Sequence, residues 1–354
     1  MAKEAENLLE SQPRVEEMRA LLDLLRAHDP KLVELESGDG AVLVCPTLQG
    51  RIFCRIENEL MHRLDAAVLA APSPSEFNNL GGNSLWPAPE GGAYGFNYLP
   101  GSNRWLVQKG IGETPAKVVH RSRDRVIVEK QIDLTNRKGI RLEVNYRRVV
   151  SVPAGRMPTG FGLAGLTYCT EDTFEPIGSY NAADVLLAPW SLEQFPGAEG
   201  VDVFCKVLEP ETPINVDFYT EPEGRIVYGT GHFTFLLGGR PGTRSAQKTA
   251  TSPELIGALD SNRSLLILRH TAPQAGIYFN IADNDQPGGP YSAADLYSVF
   301  NGGALNFFEL ETIGAMRVVG QCVTASTLVS ETTILKGRME KLQRYLAERH
   351  GLQL

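Results

Sequence analysis

With 354 residues, 42% of them hydrophobic, the chain can bury a large core, and length alone does not force two domains, because all-β folds often run long as one unit. A formal net charge of −8 and a pI of about 5.4, with the arginines scattered rather than clustered, exclude the basic surface that nucleic acid requires. No stretch approaches the ~18 apolar residues of a membrane-spanning helix.

The first thirty residues carry no apolar run after a basic start, so they are not read as a signal peptide, and a cytoplasmic location is expected. Arg14 to His28 has Val15, Met18, Leu21, Leu22 and Leu25 near 3.6-residue spacing, with Pro13 before the first turn and Asp29-Pro30 after the last. Residues 1–34 are therefore expected as an N-terminal helical segment. From 35 to 333 the chain reads as strand after strand. "AVLVCPTLQGRIFCRIE", "RVIVEKQIDL", "IRLEVNYRRVVSV", "VDVFCKVL", "INVDFYT", "RIVYG", "HFTFLLG", "SLLILRH", "GIYFNIAD" and "LNFFELETIGAMRV" are rich in Val, Ile, Phe and Tyr. Turn residues such as Gly40, Asn136, Pro153, Gly197 and Pro222 punctuate them. A last helix is expected from Ile334 to Glu348, with Leu335, Met339, Leu342 and Leu346 on one face and Gly351 beyond its end. Both terminal helices read as covers of the β-domain or as contacts for a homodimer. No βαβ alternation, phosphate-binding glycine loop or repeat of fixed period is visible, which leaves packed antiparallel sheets.

Five widely spaced cysteines with no CxxC pair imply reduced thiols rather than a zinc site or a disulfide framework. The six histidines show no metal-ligand spacing, so no catalytic metal and no cofactor are expected. His28 and His350 end helices, where a cation meets the macrodipole favourably. "ADNDQPGGPY", Ala282 to Tyr291, lacks the spacing and the twelfth-position Glu of a calcium loop and reads as a turn.

"FNNLGGNSLWPAPEGG", "NAADVLLAPWSLEQF" and the late "FFELETIGAM", set in a long all-β chain, resemble the galactose mutarotase-like superfamily, in particular one of its uncharacterised branches. The resemblance spans roughly Gly50 to Thr332 and implies one large antiparallel β-supersandwich, with the terminal helices outside it. It further implies a small-molecule sugar as partner and a cofactor-independent epimerase or mutarotase acting at the anomeric carbon. The family's general base is a Glu in a segment like C-L-E-T-Q; Leu310-Glu311-Thr312 matches three of those positions and Ile313 replaces the Gln, which nominates Glu311. The family's acid is a His, for which neither Gly162–Phe174 nor Gly81–Tyr98 has a counterpart. Two alternatives therefore stand beside the isomerase: a binding protein that keeps the cleft without the acid–base pair, and a lyase or hydrolase on the same fold.

Glu309 lies two residues before Glu311, and the strand period puts both carboxylates on one face. Two such groups repel when both are ionised, so one is expected to hold a proton while the other acts as base. His232 and His270, beside strand-edge turns, and His62, after an early strand, are candidates for the missing acid, as is Tyr168 with Glu171 and Asp172 nearby. A pyranose packs its C–H faces on aromatic rings and offers its hydroxyls to polar groups. Trp86, Glu90 and Tyr94, on a loop stiffened by Pro87 and Pro89, are expected to bind it, with Arg104 following. Trp190 and Gln194, from a second loop, are expected to close the other side.

Overall fold

The computed structural model describes residues 15–155, 160–197, 199–206, 214–215, 224–238, 247–249, 255–279 and 296–354. Alternation of burial along the strands builds the architecture. In Arg125–Thr135, the side chains of Val126, Val128, Ile132 and Leu134 are buried while Arg125, Gln131 and Asp133 face water. Arg141–Ser151 does the same with Leu142, Val144 and Tyr146. A strand that buries alternate residues must lay that face on a second layer, and here the second layer is another sheet.

Among the described residues, two ten-stranded antiparallel sheets face one another. The first runs, edge to edge, through Val33–Ser37, Gly40–Cys45, Arg51–Ile56, Gly82–Ala88, Ala188–Pro196, Phe307–Ile313, Tyr297–Asn301, Gln247–Thr249 and Ile214–Asn215, with Glu59–Leu60 added beside Arg51–Ile56. The second runs through Ile226–Gly229, His232–Leu236, Val201–Lys206, Leu255–Asp260, Leu265–Thr271, Ser326–Lys336, Ala164–Ile177, Arg141–Ser151, Arg125–Thr135 and Lys117–Arg121. The core between them includes Val42, Ile52, Leu85, Leu166, Phe174, Phe195, Ile267 and Leu310, all buried. This is the all-β sandwich expected from the pattern of short apolar runs. The expected strands at "INVDFYT" beyond Asn215 and at "GIYFNIAD" beyond Phe279 lie outside the described residues, as does the turn at Ala282–Tyr291.

Each terminal helix covers the outer face of one sheet. Leu22 and Leu25 of Val15–His28 pack on Ala41, Leu43, Cys45 and Phe53, the outward side of the first sheet. Leu342 and Leu346 of the last helix pack on Phe204, Leu266 and Leu335 of the second. That helix begins later than its periodicity suggests, spanning Met339–His350. Ile334 and Leu335 belong instead to strand Ser326–Lys336, paired on one side with Ile267 and Leu266 and on the other with Leu166 and Gly165. The β-branched run Thr332-Thr333-Ile334 suits a doubly paired strand, and a good helix face cannot outbid two ladders. Gly351, at φ +69°, ends the helix in the left-handed conformation, its N–H directed to the Ala347 and Leu346 carbonyls.

Two segments expected as loops are central strands. Gly82–Ala88 and Ala188–Pro196 pair with each other at the middle of the first sheet. Their prolines misled because proline cannot donate to a ladder. In the fold, Pro87 and Pro189 stand opposite one another at the strand ends. On its other side Gly82–Ala88 pairs only through Asn83, and Ala188–Pro196 pairs only from Trp190 onward, so no donor is required at either proline. Gly82 (φ +71°) lies on the Phe53 ring, where a Cβ would come within 2.8 Å of ring and backbone atoms. The glycine is required by this close approach, not by a flexible loop.

Candidate functional site

Register decides which side chains meet. Trp190 stands opposite Trp86 on one side and Ile313 on the other, Leu192 opposite Ser84 and Glu311, and Gln194 opposite Gly82 and Glu309. Alternate residues of three neighbouring strands therefore project outward together: Ser84 and Trp86, then Trp190, Leu192 and Gln194, then Glu309 and Glu311. Above them lies a cavity of about 230 Å³, completed among the described residues by Arg51, Phe77, Asn79, Glu90, Trp105, Phe300, Leu305 and Phe307. All three tryptophans of the chain line it. Trp86 and Trp190 meet nearly at right angles, 77° with centroids 6.0 Å apart, and Trp105 lies at 28° to Trp86 at 6.4 Å. Phe77 closes edge-on against both Trp86 and Trp105. The indoles thus form an aromatic corner rather than a flat platform.

Three carboxyl groups stand in this corner, each held by an N–H. Trp190 Nε1 donates to Glu311 Oε2 at 2.9 Å, Trp105 Nε1 to Glu90 Oε1 at 2.7 Å, and Gln194 Nε2 to Glu309 Oε1 at 2.6 Å. The Gln194 amide is oriented in turn by Arg63, whose Nη1 donates to its oxygen at 3.0 Å while the guanidinium lies over the Phe307 ring. Glu309 and Glu311 are 7% and 3% exposed, and their carboxyl groups interact with one another. Burial, with a smaller contribution from the charge of Glu90, pushes Glu309 up from its ordinary value to about 7. Burial and then the charge of Glu309 push Glu311 well above the carboxylate range. Such a pair titrates as a unit and retains a proton where isolated carboxyls have lost theirs.

Directly beneath, the opposite faces of the same strands carry an ionic layer in the middle of the sandwich. Glu193, fully buried between Leu192 and Gln194, accepts from Tyr168 Oη at 2.5 Å, His62 Nε2 at 2.7 Å and Thr332 Oγ1 at 2.9 Å, with Arg269 Nε 3.3 Å away. Burial alone would raise its pKa; Arg269, His62 and Tyr168 outweigh burial and bring it down to about 2. Arg269 also donates to the carbonyls of Ser191 and Leu310, on two of the three strands that carry the site. Arg148 bridges Asp172, at 2.8 and 3.0 Å, to the Asn83 side chain. The sequence gives no periodic signal for this layer, since its members come from six strands and a connecting segment.

A family model described as a family of unknown function, DUF6786, matches residues 17–354. The chain belongs to this family. No curated protein matches it. Among solved structures it is similar to a putative aldose 1-epimerase from Escherichia coli, with a TM-score of 0.50, 13% identity, and 87% of this chain and 99% of that one covered. A galactose mutarotase related enzyme from Lactobacillus acidophilus gives a TM-score of 0.51 at 8% identity, covering 86% and 97%. At these identities the likeness is one of fold: the DUF6786 chain has a galactose mutarotase-like β-sandwich.

Measured on that frame, Glu309, Glu311, Trp86, Glu90, Trp190 and Gln194 come together around one cavity. The others do not. His232 and His270 sit on strands of the second sheet, away from the cavity. His232 is held at the Thr230 carbonyl, and exposed His270 stands opposite Glu331. Strand-edge placement drew attention to them, but the edges belong to the wrong layer. His62 accepts the Cys54 N–H on Nδ1 at 2.9 Å, so Nε2 carries the proton it gives Glu193; it faces the interior. Tyr168 and Asp172 serve the same ionic layer, and Glu171 is exposed. Tyr94 is buried with its hydroxyl on the Ala183 carbonyl, and Arg104 is exposed outside the cavity. Sequence reading missed Arg51, Ser84, Phe77 and Phe307 among the residues that line the cavity. Among the described residues no group of His, Cys, Asp and Glu could hold a metal ion, and no helix is long and apolar enough to cross a membrane.

Proposed function

We propose that this protein is a cofactor-independent aldose isomerase, interconverting sugar anomers with Glu309 and Glu311 as its acid–base pair. One observation carries the reading: two interacting buried carboxyls face a monosaccharide-sized cavity walled by indoles. In a pyranose the hydroxyl oxygen and the ring oxygen share the anomeric carbon. One carboxylate takes the hydroxyl proton while its protonated neighbour gives a proton to the ring oxygen, and the bond from carbon to ring oxygen breaks. The open-chain aldehyde rotates about its first carbon–carbon bond. Proton transfer in the reverse sense closes the ring on either face, so each carboxyl returns to its original protonation state while the proton count of the pair stays constant throughout. A histidine is unnecessary because the raised pKa supplies a carboxyl acid at neutral pH. Trp190 and Gln194 orient the two groups, and the indole corner takes the apolar face of the ring. Five cysteines with no disulfide among them fit a reducing, cytoplasmic setting.

Exchange NMR between anomers of common aldoses tests this. Added protein should accelerate exchange, and Glu311→Gln should abolish the acceleration. No acceleration with any aldose would reject the reading.

A further inference from the structure

We propose that the cavity selects a sugar bearing a protonated amino group, such as a 2-amino-2-deoxyhexose, over neutral and anionic sugars. The proposal rests on the reading of the cavity as a sugar site and adds the charge of its guest. The lining gives the reason. It contains the carboxyls of Glu90, Glu309 and Glu311, against Arg51 as the one cationic side chain among the described residues that line it. Arg51 is committed to the frame, its Nη1 donating to the Gly81 carbonyl at 2.7 Å and its Nε to Gln49 Oε1 at 3.1 Å. Glu309 and Glu311 are met by an amide and an indole N–H, which are neutral donors.

Arg51 and Arg63 act on Glu309 only through space, so a desolvated acidic pair whose hydrogen bonds come from neutral donors is an incomplete electrostatic arrangement, which an ammonium group completes with three N–H donors. The aromatic walls favour the same guest. Indole faces attract cations, and the near-perpendicular Trp86 and Trp190 present two such surfaces to one corner. A phosphate or carboxylate on the sugar would meet the carboxyls with no uncommitted guanidinium among the described lining residues. The ammonium also bears on the chemistry. A positive charge beside the pair favours ionisation of one carboxyl, and that carboxylate is the base which ring opening requires. The substrate thereby helps to create the base that acts on it.

Because every tryptophan lines the cavity, intrinsic fluorescence reports on it directly. Titrations at neutral pH and fixed ionic strength compare D-glucosamine, D-glucose, N-acetyl-D-glucosamine and D-glucuronate. The expected half-saturation for D-glucosamine is about tenfold below that for D-glucose and N-acetyl-D-glucosamine, with D-glucuronate weakest. The preference should shrink when the pH is lowered to about 5, as the pair takes up a second proton. Equal or tighter binding of D-glucose, a preference unchanged at the lower pH, or no response to any of the four overturns the proposal. Exchange NMR on the same sugars separates it from the reading on which it rests. Accelerated exchange of D-glucose with no amino-sugar preference rejects the charge selection and leaves the isomerase. An amino-sugar preference without acceleration supports the selection and rejects the isomerase.

Discussion

Glu309 and Glu311 occupy a placement that costs stability at neutral pH. In the unfolded chain both ionise in the ordinary carboxylate range. In the fold, burial raises Glu309 to about 7 and Glu311 well above its usual value. The native state therefore binds protons that the unfolded chain has released. Their contribution to stability is complete below the ordinary carboxylate range and is lost as the pH rises through neutrality. The melting temperature is expected to fall between about pH 5 and pH 8, and Glu311→Gln should flatten that decline while lowering anomer exchange by on the order of 10²–10⁴-fold. Thermal unfolding and exchange NMR across the range measure both. A variant that kept the wild-type pH slope would place the titration elsewhere. Glu193 has the opposite sign: its depressed pKa stabilises the fold above the carboxylate range and is lost as the pH falls toward about 2. Glu193→Gln strands Arg269 as an uncompensated buried charge and should cost about 3–5 kcal/mol in denaturant unfolding.

At the scale of elements, the strands that carry the site are fixed from behind. Arg269 ties Ser191 to Leu310, and Asn83, Ser191 and Glu193 join the site strands to the second sheet through side chains. Their outward residues are thereby set to a common register. Gly82, at the start of Gly82–Ala88, permits the tight approach to Arg51–Ile56 on which the cavity edge depends. Gly82→Ala brings a Cβ against Phe53 at an unfavourable φ and should cost about 1–3 kcal/mol. It should also shift the tryptophan emission, since the disturbed strand carries Trp86. The last helix is independent of this. Leu346→Ala should lose about 2–5 kcal/mol of stability, yet leave exchange per folded molecule unchanged, because Leu346 packs on the face of the second sheet remote from the cavity. A loss of exchange in the still-folded variant would show that the helix communicates with the site.

Across the whole molecule, the sandwich separates two tasks. The interior holds an ionic layer in which Glu193 is paired with Arg269 and Asp172 with Arg148, and the outer face of the first sheet holds Glu309 and Glu311, buried without a counter-cation in hydrogen-bonding contact. On Ala188–Pro196 the two faces lie one residue apart: Glu193 inward to the ionic layer, Leu192 and Gln194 outward to the cavity. A one-residue slip of Ala188–Pro196 would exchange the two sets, so register at this strand is under strong energetic control. The paired glutamates were legible in the sequence because the strand period reports their shared face without any tertiary information. The two tryptophans were legible as candidates only by residue type.

What the chain determined locally is the β-class, the two terminal helices and the shared side of Glu309 and Glu311, since each follows from a period of residues along one segment. Tertiary structure decided the rest. It turned "GNSLWPA" and "APWSLEQFP" into central strands by placing their prolines where no N–H is needed. It moved Ile334 and Leu335 into a strand by pairing them on both sides. It directed His62, His232 and His270 to layers away from the cavity, and it brought Arg51, Phe77 and Trp105 to a cavity that no local spacing announces. Proximity across a sheet is set by which strands become neighbours, and that choice is made by burial of the entire core.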